Sequence, residues 1–169
     1  MHTLRLSEPG SKVDWHRYVG LIPDINYPVP PLTSLEYMIT PRLFETLPPE
    51  EQKLWHTHVF EVKSGMLIMP KPAALPDAAW EVAENKEMEQ VVHLYGKIYH
   101  LWQTDRGDKL PLGEPKLMTS FTEENQYDFE ALLDERDKRF GSDWRRKKEV
   151  RKHIEEPKLN PNADAAWKK

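Results

Sequence analysis

The residues HTHVFEVKSGMLIM, 56–69, decide the predicted fold. Two short apolar arms flank a Lys-Ser-Gly turn, and this arrangement predicts a β-hairpin. Side chains alternate between the two faces of a strand, so His56 and His58 share one face of the first arm and point into an apolar surface. Glu61 falls on the opposite face unless a β-bulge re-aims it.

Further strands are predicted on both sides of this hairpin. LTSLEYMI, 32–39, alternates in the manner of a strand, with Leu35, Tyr37 and Ile39 on one face. KIYHLWQT, 97–104, and KLMTSF, 116–121, are predicted to pair as antiparallel neighbours. In the first of these two strands His100 shares its face with large apolar residues, so it too is expected to point inward.

Helices are predicted where proline or periodicity marks them. Pro41 and Pro49 each take the first position of a short helix, and a longer helix is expected over 80–95, stopped by Gly96. Two more helices are expected at the C-terminal end, over 127–140 and 143–153. The predicted fold is therefore α+β, with hairpins of an antiparallel sheet packed against several short helices.

The domain organisation follows from length and composition. With 169 residues and 38% hydrophobic content, the chain is expected to form one α+β domain over 1–155. Residues 1–32 are interpreted as a proline-rich lead-in to that domain, and 156–169 as a flexible polar tail. No signal-like or membrane-spanning apolar run appears, so a cytoplasmic location is expected, with association with lipid bodies left open.

Composition also excludes several kinds of site. The chain has no cysteine, so disulfides, thiolate metal ligands and cysteine nucleophiles are ruled out. A glycine-rich phosphate loop is absent, and no nucleotide cofactor is expected. The net charge is −4, which does not favour nucleic acid as a partner.

The charge is concentrated in one place, residues 136–153, here called the basic segment. It contains nine Lys or Arg residues and three acidic residues. Its structural interpretation is a solvated helix anchored by Phe140 and Trp144. The functional alternatives are phosphate binding and contact with a lipid-body surface.

The histidines are the candidate site. If His56, His58 and His100 converge from two strands, they offer ligands for one divalent metal such as zinc, iron, nickel or manganese. Glu61 joins them if a bulge re-aims its side chain. The His-x-His and nearby Glu are similar in ligand logic to the first metal motif of the cupins. The competing interpretation is a set of core histidines hydrogen-bonded to backbone or to acids such as Asp105 and Glu61.

A polar loop, QTDRGDKLPLG, follows the strand that carries His100. Asp105 is a candidate for orienting an imidazole from behind, which would fix its tautomer. The alternative is structural: Arg106 pairs with Asp105 and Asp108 to hold a long loop in place. Both interpretations remain open at this point.

Three blocks of the chain carry a family resemblance: LEYMITPRLFETLPPEEQKLWHTHVFEVKSGMLIMP, YGKIYHLWQTDRGDKLPLGEPKLMTSFT and ERDKRFG. Over roughly residues 33–141 they resemble the oil-body-associated protein family, a domain of unknown function, with a shortened N-terminal region in this chain. The resemblance implies an α+β domain and an association of plant members with lipid bodies. It marks as site residues His56, His58, Glu61, His100, Trp102, Gln103, Asp105, Arg106 and Asp108.

Two functions from different classes follow. The prediction is a small-molecule enzyme whose histidine-lined, partly apolar pocket, with or without a divalent metal, carries out isomerisation, cyclisation or hydration on a small hydrophobic or carbonyl-containing molecule. The alternative is a non-catalytic accessory protein that binds a lipid body or a protein partner. The enzyme is preferred because an inward imidazole is costly unless it is used. Either protein is compatible with an oligomer.

Overall fold

The computed structural model of the chain describes residues 2–6, 17–23, 32–69 and 71–168. The side chains of the first two ranges and of Asp105 lie outside that description. Part of the predicted lead-in, 24–31, also lies outside the described residues.

Among the described residues, six strands form one sheet with the order β1-β2-β3-β5-β4, and β6 also pairs with β5. The pairs β1–β2, β2–β3, β3–β5 and β5–β6 are antiparallel. The strands are β1 (His2–Leu6), β2 (Arg17–Pro23), β3 (Leu32–Ile39), β4 (His56–Thr57), β5 (Tyr95–His100) and β6 (Lys116–Met118).

The α-helices are short apart from two. They are α1 (Pro41–Phe44), α2 (Pro49–Gln52), α3 (Val59–Lys63), α4 (Asp77–Val91), α5 (Phe129–Phe140) and α6 (Trp144–Val150). The α+β class, the antiparallel sheet and the two C-terminal helices are therefore confirmed. None of the helices in the described part of the chain has the length and apolar content needed to cross a membrane.

The chain divides into two compact units. Unit 1 comprises 1–56, 95–119 and 162–169, and unit 2 comprises 57–94 and 120–161. The prediction of a single domain over 1–155 stays a prediction.

Unit 1 is built on the sheet and two proline-started helices. Pro41 and Pro49 take the first helical positions, where the missing amide hydrogen is not needed. Phe44 of α1 is fully buried, and its ring stacks on Tyr95 of β5 with centroids 3.8 Å apart. Trp55 and Ala163 complete this apolar cluster.

Part of the predicted C-terminal tail packs into unit 1. Ala163 is fully buried, the Asp164 amide donates to the Trp55 carbonyl at 2.9 Å, and the Asn162 side chain donates to Gln52 at 2.7 Å. These contacts hold a segment that sequence alone suggests is loosely attached.

Unit 2 is centred on apolar residues of α3 and α4. Val62, Met88, Val91, Val92 and Ile154 form one buried cluster, and Phe129, Leu133 and Trp144 form another. Asp128 and Asp143 cap α5 and α6 by accepting backbone amide hydrogens, and Gly141 in the left-handed conformation separates the two helices.

The predicted hairpin over 56–69 is wrong. The strand ends after Thr57, His58 takes backbone angles of φ −97° and ψ 5°, and Val59–Lys63 continues as the helix α3. Gly65 ends this turn at φ 79°, where an added Cβ would collide with the Trp144 carbonyl oxygen. The second arm forms no strand: the Leu67 amide instead donates to the Glu61 carbonyl at 2.9 Å.

The end of α4 and the structure of the lead-in also differ from the prediction. The helix expected to run to Tyr95 ends at Val91, because Tyr95 begins β5 and pairs with Ile39 of β3. The lead-in contributes strands rather than only loop: β1 and β2 pair over 2–6 and 17–21, where Tyr18, Val19 and Leu21 favour extended backbone.

Candidate functional site

In unit 1, His56 is paired with a carboxylate that the sequence analysis did not single out. His56 Nε2 lies 3.0 Å from Oε1 of Glu36, and both side chains are buried. A carboxylate oxygen accepts, so Nε2 is the donor of this hydrogen bond. The pair fixes the orientation of His56.

The prediction placed Leu35, Tyr37 and Ile39 on one face of β3, and Glu36 lies on the opposite face. Ser34, Glu36 and Met38 are buried, whereas Tyr37 of the other face is exposed. Glu36 alternates with Ser34 and Met38, and this period-two pattern was the signal that could have identified Glu36 as inward-facing. The sequence does not indicate that Glu36 pairs with His56, because twenty residues separate the two in the chain.

Gly96 on β5 makes room for this pair. An added Cβ would lie 2.6 Å from Nε2 of His56 and closer still to the Glu36 carboxylate. Only a residue without a side chain fits between β3, β5 and the imidazole without displacing one of them.

In unit 2, His58 is held at the start of α3. Its Nδ1 lies 2.9 Å from the carbonyl oxygen of Leu94, and because a carbonyl oxygen accepts, Nδ1 is the donor of this bond. Glu61, one helical turn further on, places Oε2 3.8 Å from His58 Nε2. The other carboxylate oxygen accepts from the Ser120 hydroxyl at 2.6 Å.

The structure does not bring His100 to His56. His100 lies four residues beyond Gly96 on β5, about 13 Å further along the strand at roughly 3.3 Å per residue. Its Nδ1 is buried and has no hydrogen-bond partner among the described residues. The expected convergence of strand histidines therefore fails within unit 1, since the period-two rule fixes the face of a residue but not its position along the sheet.

In the polar loop after β5, one of the two ion pairs of the structural interpretation is present, and the role of Asp105 stays a prediction. The Arg106 guanidinium pairs with the Asp108 carboxylate and holds the pKa of that carboxyl below its usual value. The Trp102 indole donates to the Asp108 carbonyl at 2.9 Å, and the Arg106 amide donates to the Gln103 carbonyl at 3.2 Å. The Asp105 side chain lies outside the described residues.

The donors that a metal would use are present in both units. Glu36 and His56 supply a carboxylate and an imidazole in unit 1, and His58 and Glu61 supply the same pair of groups in unit 2. In His58 one ring nitrogen is fixed by a backbone carbonyl, which is a common way of orienting metal-binding histidines. A metal held by the predicted set stays a prediction.

A groove of about 510 Å3 lies in unit 2, between the start of α4 and the turn that joins α5 to α6. Trp80, Met69 and Phe140 give it apolar walls, and Arg146 and Glu81 give it a charged edge. None of the predicted histidines lines it, so it is not the histidine-lined pocket expected from the sequence.

The basic segment is paired within unit 2. Ion pairs with carboxylates engage seven of its nine cationic side chains: Arg136, Arg145, Arg146, Lys147, Lys148, Arg151 and Lys152. Arg146, for example, makes two hydrogen bonds to Glu81, at 2.7 and 2.8 Å, and these raise the pKa of its guanidinium. Much of the excess charge seen in the sequence is thus balanced by acids from other segments of the unit.

Comparison with known proteins places this chain in a family. The family model "Protein of unknown function (DUF1264)" matches residues 15–155. The chain belongs to this family. No solved structure matches the chain.

Several curated relatives of the chain are named for an association with oil bodies. Oil body-associated protein 1A of Zea mays is 41% identical over 81% of this chain, and protein 1B of Arabidopsis thaliana is 40% identical over 76%. Oil body-associated protein 2A of Arabidopsis thaliana is 45% identical over 66%. The chain spans about half the length of these relatives, covering 55%, 50% and 43% of them in the same order.

These relatives confirm the predicted family and overturn the predicted enzyme. Their names describe association with an oil body, and the family description assigns no reaction, which favours the non-catalytic alternative. The argument for an enzyme was that inward imidazoles need a use. His56 and His58 are instead satisfied by Glu36 and the Leu94 carbonyl.

Proposed function

We propose that this protein is a non-catalytic component of lipid bodies, held at their phospholipid surface. The observation that carries the proposal is the similarity of most of the chain to oil-body-associated proteins, at 40–41% identity over 76–81% of its residues for two of them. A lipid body is a neutral-lipid core under a phospholipid monolayer, so a protein associates with it by inserting apolar groups and by attracting headgroups.

The buried histidines have a structural role under this proposal. Each imidazole is a core side chain that is hydrogen-bonded within the protein, as buried polar groups generally are. His56 ties the chain to β3 through Glu36, and His58 ties the start of α3 to Leu94. These links account for the burial of both histidines without a substrate.

The basic segment was the predicted docking surface, and its pairing reduces what it contributes. A headgroup must compete with the carboxylate that each paired side chain already contacts. Lys138 is a member of the segment for which no ion pair occurs among the described residues. We therefore expect electrostatic attraction through 136–153 to be a minor part of the affinity, and apolar insertion to be the larger part.

Flotation tests the function directly. Purified protein is mixed with artificial oil bodies, which are triacylglycerol droplets coated with a phospholipid monolayer, and the mixture is centrifuged through a sucrose gradient. The protein is expected in the buoyant layer with droplets and at the bottom of a matched gradient without them. Protein that stays at the bottom in both gradients would refute the association.

A charge reversal then tests the basic segment. Lys138→Glu is expected to leave flotation nearly unchanged, and raising the salt to about 0.5 M, where charges are screened beyond a few ångströms, is expected to have a similarly small effect. Loss of flotation in Lys138→Glu would show that the basic segment provides the main attraction, and loss at high salt alone would show that electrostatic attraction is not minor.

A further inference from the structure

The second half of the loop between β5 and β6, together with β6 itself, is exposed. All ten residues over 109–118, here called the apolar tip, are exposed. Leu110 and Leu112 are 63% and 55% exposed, and Leu117 and Met118 are each 43% exposed. Scattered surface leucines are ordinary, but four large apolar side chains within nine residues form a patch of the kind that marks an interaction site.

The backbone of the apolar tip suits an apolar environment. Pro111 and Pro115 have no amide hydrogen, so two of the ten residues carry no donor that would lose a water partner. Gly113 turns the chain at φ 76°, and a Cβ added there would meet no atom within 4 Å. The turn therefore stands free of its neighbours in unit 1.

The charges and the adjoining surface match a phospholipid monolayer. Lys109 and Lys116 lie on either side of Leu110 and Leu112, and neither takes part in an ion pair within the described residues. With Glu114, the tip has a net charge of +1. Lysines in such positions reach headgroup phosphates while their stems lie along the acyl chains. Leu117 and Met118 also line a hollow of about 80 Å3 with Leu54, which extends the apolar surface beyond the tip.

We propose that the apolar tip is the element that inserts into the monolayer of the lipid body, with Leu110 and Leu112 among the acyl chains and Lys109 and Lys116 at the headgroups. This inference rests on the proposed function and specifies its surface. The two lysines outnumber the single acid Glu114, and this net positive charge favours an anionic lipid surface over the apolar interface of a protein partner.

Two substitutions and a fluorescent label test the insertion. The double variant Leu110→Ser, Leu112→Ser is expected to bind artificial oil bodies about tenfold or more weakly, because two large apolar side chains no longer enter the acyl region of the monolayer. Val82→Ser is the matched control: Val82 is 71% exposed on α4 in unit 2, and its loss is expected to leave flotation unchanged.

Since the chain has no cysteine, a single one can be labelled without competition. An environment-sensitive dye on Leu112→Cys is expected to shift to the blue and brighten when oil bodies are added. The same dye on Val82→Cys is expected to keep its aqueous spectrum. Both labelled proteins should retain the circular dichroism of the unlabelled chain, because both positions are exposed.

The outcomes separate this inference from the function. If the unaltered protein floats but the double variant floats equally well and the label at 112 does not respond, the tip is not the inserting element and the function stands. If the unaltered protein does not float, both proposals are refuted. If the double variant instead turns a dimer into a monomer while flotation is unchanged, the tip is an interface between two copies, which also overturns the insertion.

Discussion

Replacing Arg151 with methionine is expected to destabilise unit 2 strongly. Arg151 is fully buried, and its Nη2 lies 3.3 Å from Oε2 of the equally buried Glu84. Its Nη1 donates to the carbonyls of Val62 at 3.2 Å and Leu67 at 2.8 Å. Burial lowers the pKa of this guanidinium, and the charge of Glu84 opposes that shift.

The magnitude follows from what the substitution leaves behind. The two buried carbonyls lose a donor, at about 1–3 kcal/mol each if nothing replaces it. Glu84 keeps an ion pair with Lys147 and the amide of Met69, so its charge is not left alone. Breaking a buried pair costs about 3–5 kcal/mol in general, and because these contributions overlap we expect a total of about 3–5 kcal/mol.

Urea unfolding followed by circular dichroism measures this loss. The neighbouring substitution Lys152→Met is the matched control, because Lys152 is 67% exposed and pairs only with the exposed Glu149. The control is expected to change the free energy of unfolding by about 0.5 kcal/mol or less. A loss below about 1 kcal/mol for Arg151→Met would refute the reasoning. If that variant does not fold, Arg151→Lys, which keeps the charge, should fold and show an intermediate loss.

Three further predictions concern the site and the ion pairs. Gly96→Ala should lower the free energy of unfolding in urea by about 2–4 kcal/mol, since its Cβ would lie 2.6 Å from Nε2 of His56 and force the pair with Glu36 apart; an unaffected variant would contradict that packing. Glu81 has its pKa lowered by hydrogen bonds from α6, so the stability advantage of wild type over Glu81→Gln should be complete above the ordinary value of 4.5 and disappear as the pH falls through the lowered pKa. An advantage that is independent of pH in urea titrations would rule out the ion pair as its source. Metal analysis decides between the two roles of the histidines: the predicted ligand set requires near-stoichiometric zinc, iron, nickel or manganese that is lost in the double variant His56→Ala, His58→Ala, whereas the hydrogen-bonded role proposed above is expected to give a metal-free wild type.

Local chemistry accounts for the parts of the fold that were predicted correctly. The alternation over 32–39 gives β3 with the predicted bounds, and Pro41 and Pro49 start α1 and α2 where a missing amide hydrogen is harmless. Gly141 separates the two C-terminal helices because it adopts the left-handed conformation that ends α5. Each of these signals acts within a few residues, so the sequence displays it directly.

The site could be predicted only in part. The histidine motif correctly marked His56 and His58 as inward-facing, and both are buried. It missed Glu36, and it placed Glu61 on the wrong side of His58, because Val59–Lys63 is a helix and puts the two residues one turn apart. A five-residue segment with apolar residues at 59, 60 and 62 fits a strand or a helical turn equally well, so periodicity could not decide between them.

The sequence by itself determined the α+β class and the burial of His56 and His58, since alternation, proline positions and turn chemistry act locally, and the order of its motif blocks indicated the family. Only the tertiary structure decided which partners those residues have. It gave His56 a carboxylate from twenty positions away, and it neutralised most of the basic segment with acids from other segments of unit 2. The physical reason is that hydrogen bonds and ion pairs act over a few ångströms in space, and chain separation does not reveal which groups the fold brings within that range.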